Sequence, residues 1–262
     1  MSKKISTSPY KGARDFYPED RQLQQWMFGA WKQVVESYGY QEYDAPILEP
    51  TDLYLMKGSE EIVQEQTYTF QDRGDRSVTI RTEMTPSVSR MVAGKRQELA
   101  YPARWYSIPN LWRYERMQKG RLREFWQLNV DMFGVANEYA EIEMIQIVDD
   151  LFQAFQAKRK TYTIKLNSRV LVNEMLSQIT DGNQDMSTQL IRLIDRMNKM
   201  SADEFSTALN KITESDEKTK QLLGLLKTNS LSELPQNLQE LPSVQTLQTV
   251  MAACKTQGIS NL

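Results

Sequence analysis

Apolar residues recur every three or four positions before Gly39, and this spacing predicts an amphipathic helix over residues 20–38. Gly39 marks its end, because glycine readily adopts the left-handed conformation that terminates helices. The apolar stripe comprises Leu23, Trp26, Met27, Ala30, Trp31, Val34, Val35 and Tyr38. Residues 41–50 predict an extended segment with Pro46 inside it. Since proline cannot donate to a neighbouring strand, this segment favours a sheet edge or an interface.

Two strand-like runs, 66–72 and 77–81, flank the turn signal Asp72-Arg73-Gly74-Asp75 and predict a hairpin. A short helix is expected next, with Thr85 as N-cap, Pro86 at its first position and Gly94 able to close it.

Residues 103–134 predict a long hairpin around a charged loop at about 116–122. In its second arm the even positions are apolar, while the odd positions carry polar groups and one ring. The even positions are Trp126, Leu128, Val130 and Met132, and the odd ones are Arg123, Phe125, Gln127, Asn129 and Asp131. A period of two assigns these sets to opposite faces, a core face and a chemical face. On this pattern alone, a solvated polar face is the simpler interpretation.

The pattern becomes helical from Asn137, with a stripe of Ile142, Ile145, Val148, Leu151, Phe152 and Phe155, and a short strand follows at 162–166. Beyond Asn167 only helices are predicted, one of them introduced by the capping-box sequence Ser201-Ala202-Asp203-Glu204. We therefore expect an α+β protein. An antiparallel sheet flanked by helices is expected over residues 1–167, and a helical domain over residues 168–262.

The amino-acid composition limits the kinds of catalytic and metal sites that the chain can form. The 262 residues contain no histidine and one cysteine, Cys254, so a Cys/His zinc site and a histidine-based catalytic triad are both excluded, and no metal ligand is assigned. Chemistry on carboxylates, arginines, lysines and bound Mg²⁺ suits phosphoryl or nucleotidyl transfer. Without a signal-like or membrane-length apolar run, a cytoplasmic protein with no membrane partner is expected.

The loop of the long hairpin is strongly basic. Five cationic side chains fall within residues 113–123, and Gly120 permits a tight bend. Arginine pairs bidentately with phosphate, so a polyphosphate or an RNA backbone is the natural partner. Judged by charge alone, the loop also fits an ordinary solvated charged surface.

The full pattern of this hairpin resembles motif 2 of the class II aminoacyl-tRNA synthetases in its histidyl version. The matching segments are Ile108–Glu115, Gln118–Arg121, Arg123–Phe125 and Asp131–Gly134. Upstream, Pro46–Pro50 is similar to motif 1 of the dimer interface, and Arg81–Ser87 resembles the amino-acid-binding segment. Lys165–Arg169 resembles the strand end after which that family carries its insertion domain.

The resemblance implies a class II catalytic fold that uses ATP and Mg²⁺ to join L-histidine to tRNA(His), in a homodimer that meets at Pro46. For ATP, it assigns the α-phosphate and the reacting carboxylate to Arg113, the adenine amino group to Glu115, the γ-phosphate to Arg121 and stacking under adenine to Phe125. For histidine, it assigns the ammonium to Glu83, Thr85 and Gln127 and the imidazole to Asp131. Arg116 and Gln118 would contact the acceptor end of the tRNA.

Three departures from the family pattern accompany this resemblance. Trp126 stands where histidine is common, and Asp131 stands where glutamate is common. The chain also lacks an Arg-Gly-Leu-Asp-Tyr-Tyr-like segment and motif 3, which supplies a second ATP-binding arginine. We therefore expect an N-terminal fragment of the catalytic fold, weakly active or inactive alone.

Two other functions are compatible with the same sequence features. One is the non-catalytic, synthetase-like regulatory subunit of ATP phosphoribosyltransferase, in histidine biosynthesis. The intact set of Glu83, Arg113, Glu115, Arg121 and Phe125 argues against it, because a working ATP site needs these groups. The other is a dimerisation and RNA-binding fragment without enzyme activity.

Overall fold

The computed structural model describes residues 5–55, 66–116, 118–228 and 230–262. The chain forms two compact units. The first contains Met1–Ala140 and Ile147–Ala157, and the second contains Glu141–Gln146 and Lys158–Leu262. The functional division at residue 167 stays a prediction.

In its described residues the first unit contains α1 (Pro18–Ser37), α2 (Thr51–Leu55), α3 (Thr85–Lys95) and the second half of α4 (Tyr139–Ala154). Helix α1 confirms the prediction, and Gly39 follows it with φ +80°. Its predicted apolar stripe is partly wrong: Val35 is buried as predicted, but Leu23 and Trp26 are exposed, while Gln24 and Phe28, which lie outside the stripe, are buried. The buried face is rotated relative to the sequence stripe.

Eight strands lie in the described part of this unit. They are β1 (Gln41–Glu42), β2 (Leu48–Pro50), β3 (Tyr68–Gln71), β4 (Ser77–Ile80), β5 (Ala103–Ser107), β6 (Asn110–Trp112), β7 (Glu124–Trp126) and β8 (Asn129–Phe133). They pair in the orders β1-β5-β8, β2-β4-β3 and β6-β7. All pairs are antiparallel except β1 with β5, which is parallel. The fold is therefore α+β, with small sheets flanked by helices.

Both predicted hairpins form. Strands β3 and β4 enclose the Asp72–Asp75 turn, where Asp75 has φ +56°. In the long hairpin, β5 pairs with β8 and β6 with β7 in one continuous register, interrupted where Pro109 cannot donate. The Gln127 N–H bridges this interruption by donating to the Pro109 carbonyl at 3.3 Å.

Three local predictions for the first unit need correction. Pro46 lies between β1 and β2 rather than inside a strand, since the ladder bonds stop on either side of it. Helix α3 begins at Thr85, with Met84 as N-cap, and continues past Gly94 to Lys95. All five residues of β8 are half-buried, so burial does not divide them into a core face and an open face.

The second unit is helical, as predicted. It contains the first half of α4, then α5 (Arg169–Ile179), α6 (Gln184–Ile194), α7 (Ala202–Thr213), α8 (Asp216–Leu226), α9 (Gln236–Gln239) and α10 (Pro242–Thr256). Short 3₁₀ turns occupy Arg159–Thr161, Met197–Lys199 and Leu231–Glu233. The capping box is confirmed, with Ser201 and Glu204 each receiving the other's backbone N–H. Leu176, Leu190, Leu209, Leu222 and Val244 form the centre of its core.

Two predictions fail in this part of the chain. Residues 162–166 form no strand, and the Ile164 N–H instead donates to the carbonyl of Asn261 at 2.8 Å. In α4, Ile142 and Ile145 are buried as expected, but Val148 and Phe152 are exposed. Each helix in the described part of the chain falls short of the length and apolar content that a bilayer crossing requires.

Candidate active site

The long hairpin supplies most of the predicted site residues. Arg113 and Glu115 continue from β6, and Phe125 lies in β7 directly opposite Leu111. The Arg113 N–H donates to the Arg123 carbonyl at 2.8 Å, which extends the pairing toward the loop. The loop turns through Gly120, whose φ of +79° suits glycine. Met117 lies outside the described residues.

Arg113 is held in place by two contacts. Its Nε donates to the Thr82 carbonyl at 3.0 Å, and its guanidinium carbon lies 5.3 Å from the centre of the Phe125 ring. Thr82 precedes Glu83, so this hydrogen bond joins the hairpin to the segment predicted to bind the amino acid. Among the described residues the hydrogen bond of Arg113 is made by Nε, and an arginine presents further donors on its two Nη groups in a planar fork.

Glu115 and Arg121 face each other across the loop. Arg121 Nη1 lies 2.9 Å from Glu115 Oε2, and the Glu115 side chain is 15% exposed while that of Arg121 is 61% exposed. An isolated bridge between Gln118 and Arg121 tightens the turn. Arg116 and Gln118, predicted to contact tRNA, are exposed.

Arg123 has a different role from the other cations of the loop. It is 9% exposed, its guanidinium carbon lies 4.0 Å above the Tyr114 ring, and its Nε donates to the Glu115 carbonyl at 3.3 Å. A Cβ on Gly12 would lie 2.6 Å from its Cγ. Arg123 is therefore packed between the hairpin and the N-terminal segment rather than presented to a phosphate. Nothing in the spacing of the basic residues marks this difference.

The segment predicted to bind the amino acid begins at a buried arginine that the sequence pattern did not single out. Arg81 is 3% exposed, and its guanidinium donates to the carbonyls of Asn110 at 2.9 Å and Ala45 at 2.6 Å. It also pairs with Asp44 at 2.9 Å. Arg81 therefore ties the chain before Pro46 to β6. Beyond it, Glu83 is half-buried and Thr85 is exposed.

Asp131 lies in β8 opposite Trp105. The Tyr43 hydroxyl donates to Asp131 Oδ2 at 3.0 Å, and the Asn129 amide donates to the same oxygen. Burial raises the pKa of Asp131 above its usual value, although these two donors oppose the shift. Burial also raises the pKa of Tyr43, so its hydroxyl stays protonated. Gln127, four residues earlier, is exposed.

Comparison with known proteins gives a consistent result. The family model described as histidyl-tRNA synthetase matches residues 12–258. A histidine–tRNA ligase of Leptospira biflexa is 42% identical over 99% of this chain and 60% of its own length. The chloroplastic/mitochondrial histidine–tRNA ligase of Arabidopsis thaliana is 38% identical over 88% of this chain and 47% of its own length. The chain thus spans 60% or less of these two relatives.

Solved structures share the fold. Histidyl-tRNA synthetase from Nostoc sp. PCC 7120 superposes with a TM-score of 0.82 at 21% identity, covering 98% of this chain and 60% of that one. A Bacillus halodurans C structure, described as an ATP phosphoribosyltransferase regulatory subunit/histidyl-tRNA synthetase, has a TM-score of 0.83 at 19% identity. It covers 99% of this chain and 67% of that one. At these identities the likeness concerns the fold alone.

Proposed function

The chain belongs to the histidyl-tRNA synthetase family, and we propose that it carries the part of such an enzyme that binds ATP and histidine. The whole enzyme would join histidine to ATP as histidyl-adenylate and then pass the histidyl group to tRNA(His). The observation that carries this proposal is the placement of Arg113. Its Nε is bound to the Thr82 carbonyl and its guanidinium lies 5.3 Å from the centre of the Phe125 ring, and a guanidinium fixed in this way supports binding of a nucleotide phosphate by its Nη groups.

The first step needs no protein base. The carboxylate of histidine is already an anion, and one of its oxygens forms a bond to the α-phosphorus of ATP while the bond from that phosphorus to the bridging oxygen breaks. Pyrophosphate leaves with the electron pair. Arg113 stabilises the charge that develops on the α-phosphate, and Phe125 stacks under adenine to align the reactants. A protein without histidine side chains is chemically suited to this reaction.

Mg²⁺ would enter with ATP. In nucleotide sites this ion is held mainly by phosphate oxygens and water, with one or two carboxylates at most. The described residues contain no group of three or more acidic, cysteine or histidine side chains that could hold a metal ion. When bound, it would neutralise charge on the phosphates.

Histidine would be recognised at both ends. Glu83, Thr85 and Gln127 would receive its ammonium group, and Asp131 would accept a hydrogen bond from its imidazole. Thr82, next to Glu83, binds Arg113 through its carbonyl, which supports a common site for the amino acid and the α-phosphate.

tRNA(His) would be the acceptor in the second step. Arg116 and Gln118 are exposed in the loop of the hairpin, a position suited to the acceptor end of the tRNA. The terminal ribose hydroxyl would attack the histidyl carbonyl, the bond from that carbon to the phosphate oxygen would break, and AMP would leave after a phosphate oxygen of the adenylate has taken the hydroxyl proton.

A homodimer is proposed from the β2-β4-β3 sheet, whose apolar face is partly open to solvent. On this face, Leu48 is 45% and Phe70 is 46% exposed. On the opposite, polar face, Glu49 and Thr79 are buried while Thr69, Gln71 and Ser77 are exposed. Large apolar side chains that lie exposed together on one sheet face are typical of a protein interface. Pro46 lies two residues before this sheet and would be part of the contact.

The second candidate function is regulation of ATP phosphoribosyltransferase without catalysis. This candidate is retained because the description of the Bacillus halodurans C structure, which shares the fold, includes that role. Co-purification with the transferase, together with no ATP-dependent reaction, would favour it.

The deciding experiment is ATP–pyrophosphate exchange, measured on the protein extended to the length of its relatives with each amino acid in turn. The proposed function predicts exchange with histidine only. Histidine binding without exchange would contradict it and would support the regulatory role.

A further inference from the structure

Both donors to Asp131 meet the same carboxylate oxygen. Tyr43 and Asn129 donate to Oδ2, and the Asn129 amide also lies 3.3 Å from the Tyr43 hydroxyl. Oδ1 accepts no hydrogen bond from the described residues. It is also not one of the fully buried polar atoms without a partner, so it is accessible. The carboxylate thus has one occupied oxygen and one open oxygen.

Tyr43 is itself fixed by the sheet. Its N–H donates to the Tyr106 carbonyl at 2.8 Å, which continues the parallel pairing of β1 with β5 by one residue. Its ring lies 5.8 Å from the ring of Trp105, the residue directly opposite Asp131. The Tyr43 ring is therefore held at the end of β1, and its hydroxyl reaches Asp131 in β8 of the same sheet.

These contacts suit the selection of one ligand donor. Tyr43 and Asn129 are neutral, so they orient the carboxylate without cancelling its charge, as a lysine or arginine would. An oriented carboxylate with one open oxygen accepts a single N–H along a defined direction, and a hydrogen bond of this kind to a charged group is strong. A freely rotating carboxylate would accept a wider range of polar side chains.

We propose that Tyr43 is a specificity-determining positioning residue, which holds Asp131 so that Oδ1 alone meets a ring N–H of the amino-acid substrate. The inference deepens the proposed function and depends on the assignment of Asp131 to the imidazole. Tyr43 touches Asp131 and not the reacting atoms, so its effect belongs in histidine binding rather than in the rate of adenylate formation.

The test is histidine-dependent exchange in the extended protein, with Tyr43→Phe as the main variant. Loss of the hydroxyl should raise the KM for histidine about tenfold. The kcat and the KM for ATP should change less than about twofold. Tyr106→Phe is the matched control, because Tyr106 donates its hydroxyl to Glu36 at 2.6 Å from an adjacent position of β5, which faces the other side of the sheet. It should leave the KM for histidine unchanged.

A double-mutant cycle decides whether Tyr43 acts through Asp131. On an Asp131→Ala background, Tyr43→Phe should have little further effect, because the side chain that the Tyr43 hydroxyl orients is gone. The inference would be overturned if Tyr43→Phe raised the KM for histidine by the same factor with and without the Asp131 substitution. It would also be overturned if Tyr43→Phe raised this KM no more than Tyr106→Phe does. Asn129→Ala removes the other donor and provides the same test if Tyr43→Phe does not fold. A wild-type protein without histidine-dependent exchange would overturn the proposed function and this inference together.

Discussion

Arg121 and Glu115 form an ion pair across the loop of the hairpin, with Arg121 Nη1 2.9 Å from Glu115 Oε2. The family resemblance assigns these two residues to opposite ends of ATP. On that assignment, ATP would replace or rearrange this ion pair when it binds. Because the arginine side chain is 61% exposed, the pair stabilises the fold by less than about 1 kcal/mol and is easily exchanged for a phosphate contact.

This relationship predicts the behaviour of Arg121→Ala. The KM for ATP in histidine-dependent exchange should rise about tenfold, since a charge-assisted phosphate contact is lost, while the unfolding free energy should change by less than about 1 kcal/mol. Lys218→Ala, which removes a comparable ion pair with Asp181, is the matched control. If Arg121→Ala and Lys218→Ala gave the same KM for ATP, Arg121 would not reach the γ-phosphate.

Arg113→Ala should reduce histidine-dependent exchange about a hundredfold or more, because a preorganised donor to the α-phosphate is lost. Trp126→His should leave exchange nearly unchanged. Trp126 contacts Phe16 edge to face at 5.0 Å, so its replacement should instead cost about 1 kcal/mol of unfolding free energy. Steady-state exchange rates and chemical denaturation separate the two effects. Near wild-type exchange in Arg113→Ala would remove the basis for the phosphate assignment.

Asp131 should lower the stability of the fold at neutral pH. Burial raises its pKa above the usual 3.8, so the folded state binds this proton more tightly than the unfolded chain does. Ionisation of Asp131 therefore costs stability as the pH rises from below 3.8 through the raised value. Asp131→Asn, which retains an acceptor for Tyr43, should be more stable than the wild type at neutral pH, and the gain should shrink as the pH falls through that window.

Asp72 is the control, because its ionisation should stabilise the fold, whereas that of Asp131 should destabilise it. Hydrogen bonds from Arg76 and Gly74 lower the pKa of Asp72, so its carboxylate adds stability that is lost as the pH falls through the lowered value. Asp72→Asn should therefore be less stable than the wild type at neutral pH. Denaturation midpoints from about pH 8 down to about pH 2 measure both variants. A gain for Asp131→Asn that does not depend on pH would mean that the carboxylate is not the cause.

The exposed apolar residues of the β2-β4-β3 sheet predict self-association. Leu48→Glu and Phe70→Glu should each shift the protein from dimer to monomer in sedimentation, because a charge on this face cannot be buried without a partner. Val170→Glu changes a residue of the second unit that is 60% exposed, and it should leave the association state unchanged. A wild-type monomer at tens of micromolar would rule out the sheet of this chain as a sufficient interface.

Local sequence signals predicted α1, α3, α4, both hairpins and the capping box, because each depends on residues close in sequence, but they did not predict α2. It did not identify the buried side of α1, where Gln24 is covered and Trp26 is exposed. Both are compatible with the same helix, and only tertiary packing decides between them. The expected strand at 162–166 failed for a similar reason, since its backbone pairs with Asn261 about a hundred residues away.

The residues of the candidate site also fall into two groups, those that the sequence predicts and those that only the structure reveals. Arg113, Phe125 and Asp131 follow from the family motif and the strand alternation. Tyr43 and Arg81 do not, because their partners lie far along the chain and no spacing connects them. Arg123 belongs to the same basic run as Arg121, yet packing against Gly12 and Tyr114 turns it into a structural residue. Residues that support the site are therefore visible only in three dimensions.

The most direct test of the account is histidine-dependent ATP–pyrophosphate exchange with the 262-residue chain beside a version extended to the length of its relatives. Catalytic groups that act as a unit lose far more than a proportional share of the rate when some are missing. We predict little or no exchange by the chain alone, and exchange with histidine that depends on Arg113 in the extended protein. Comparable rates in the two proteins would contradict the prediction for the chain alone, and no histidine-dependent exchange in the extended protein would contradict the proposed function itself.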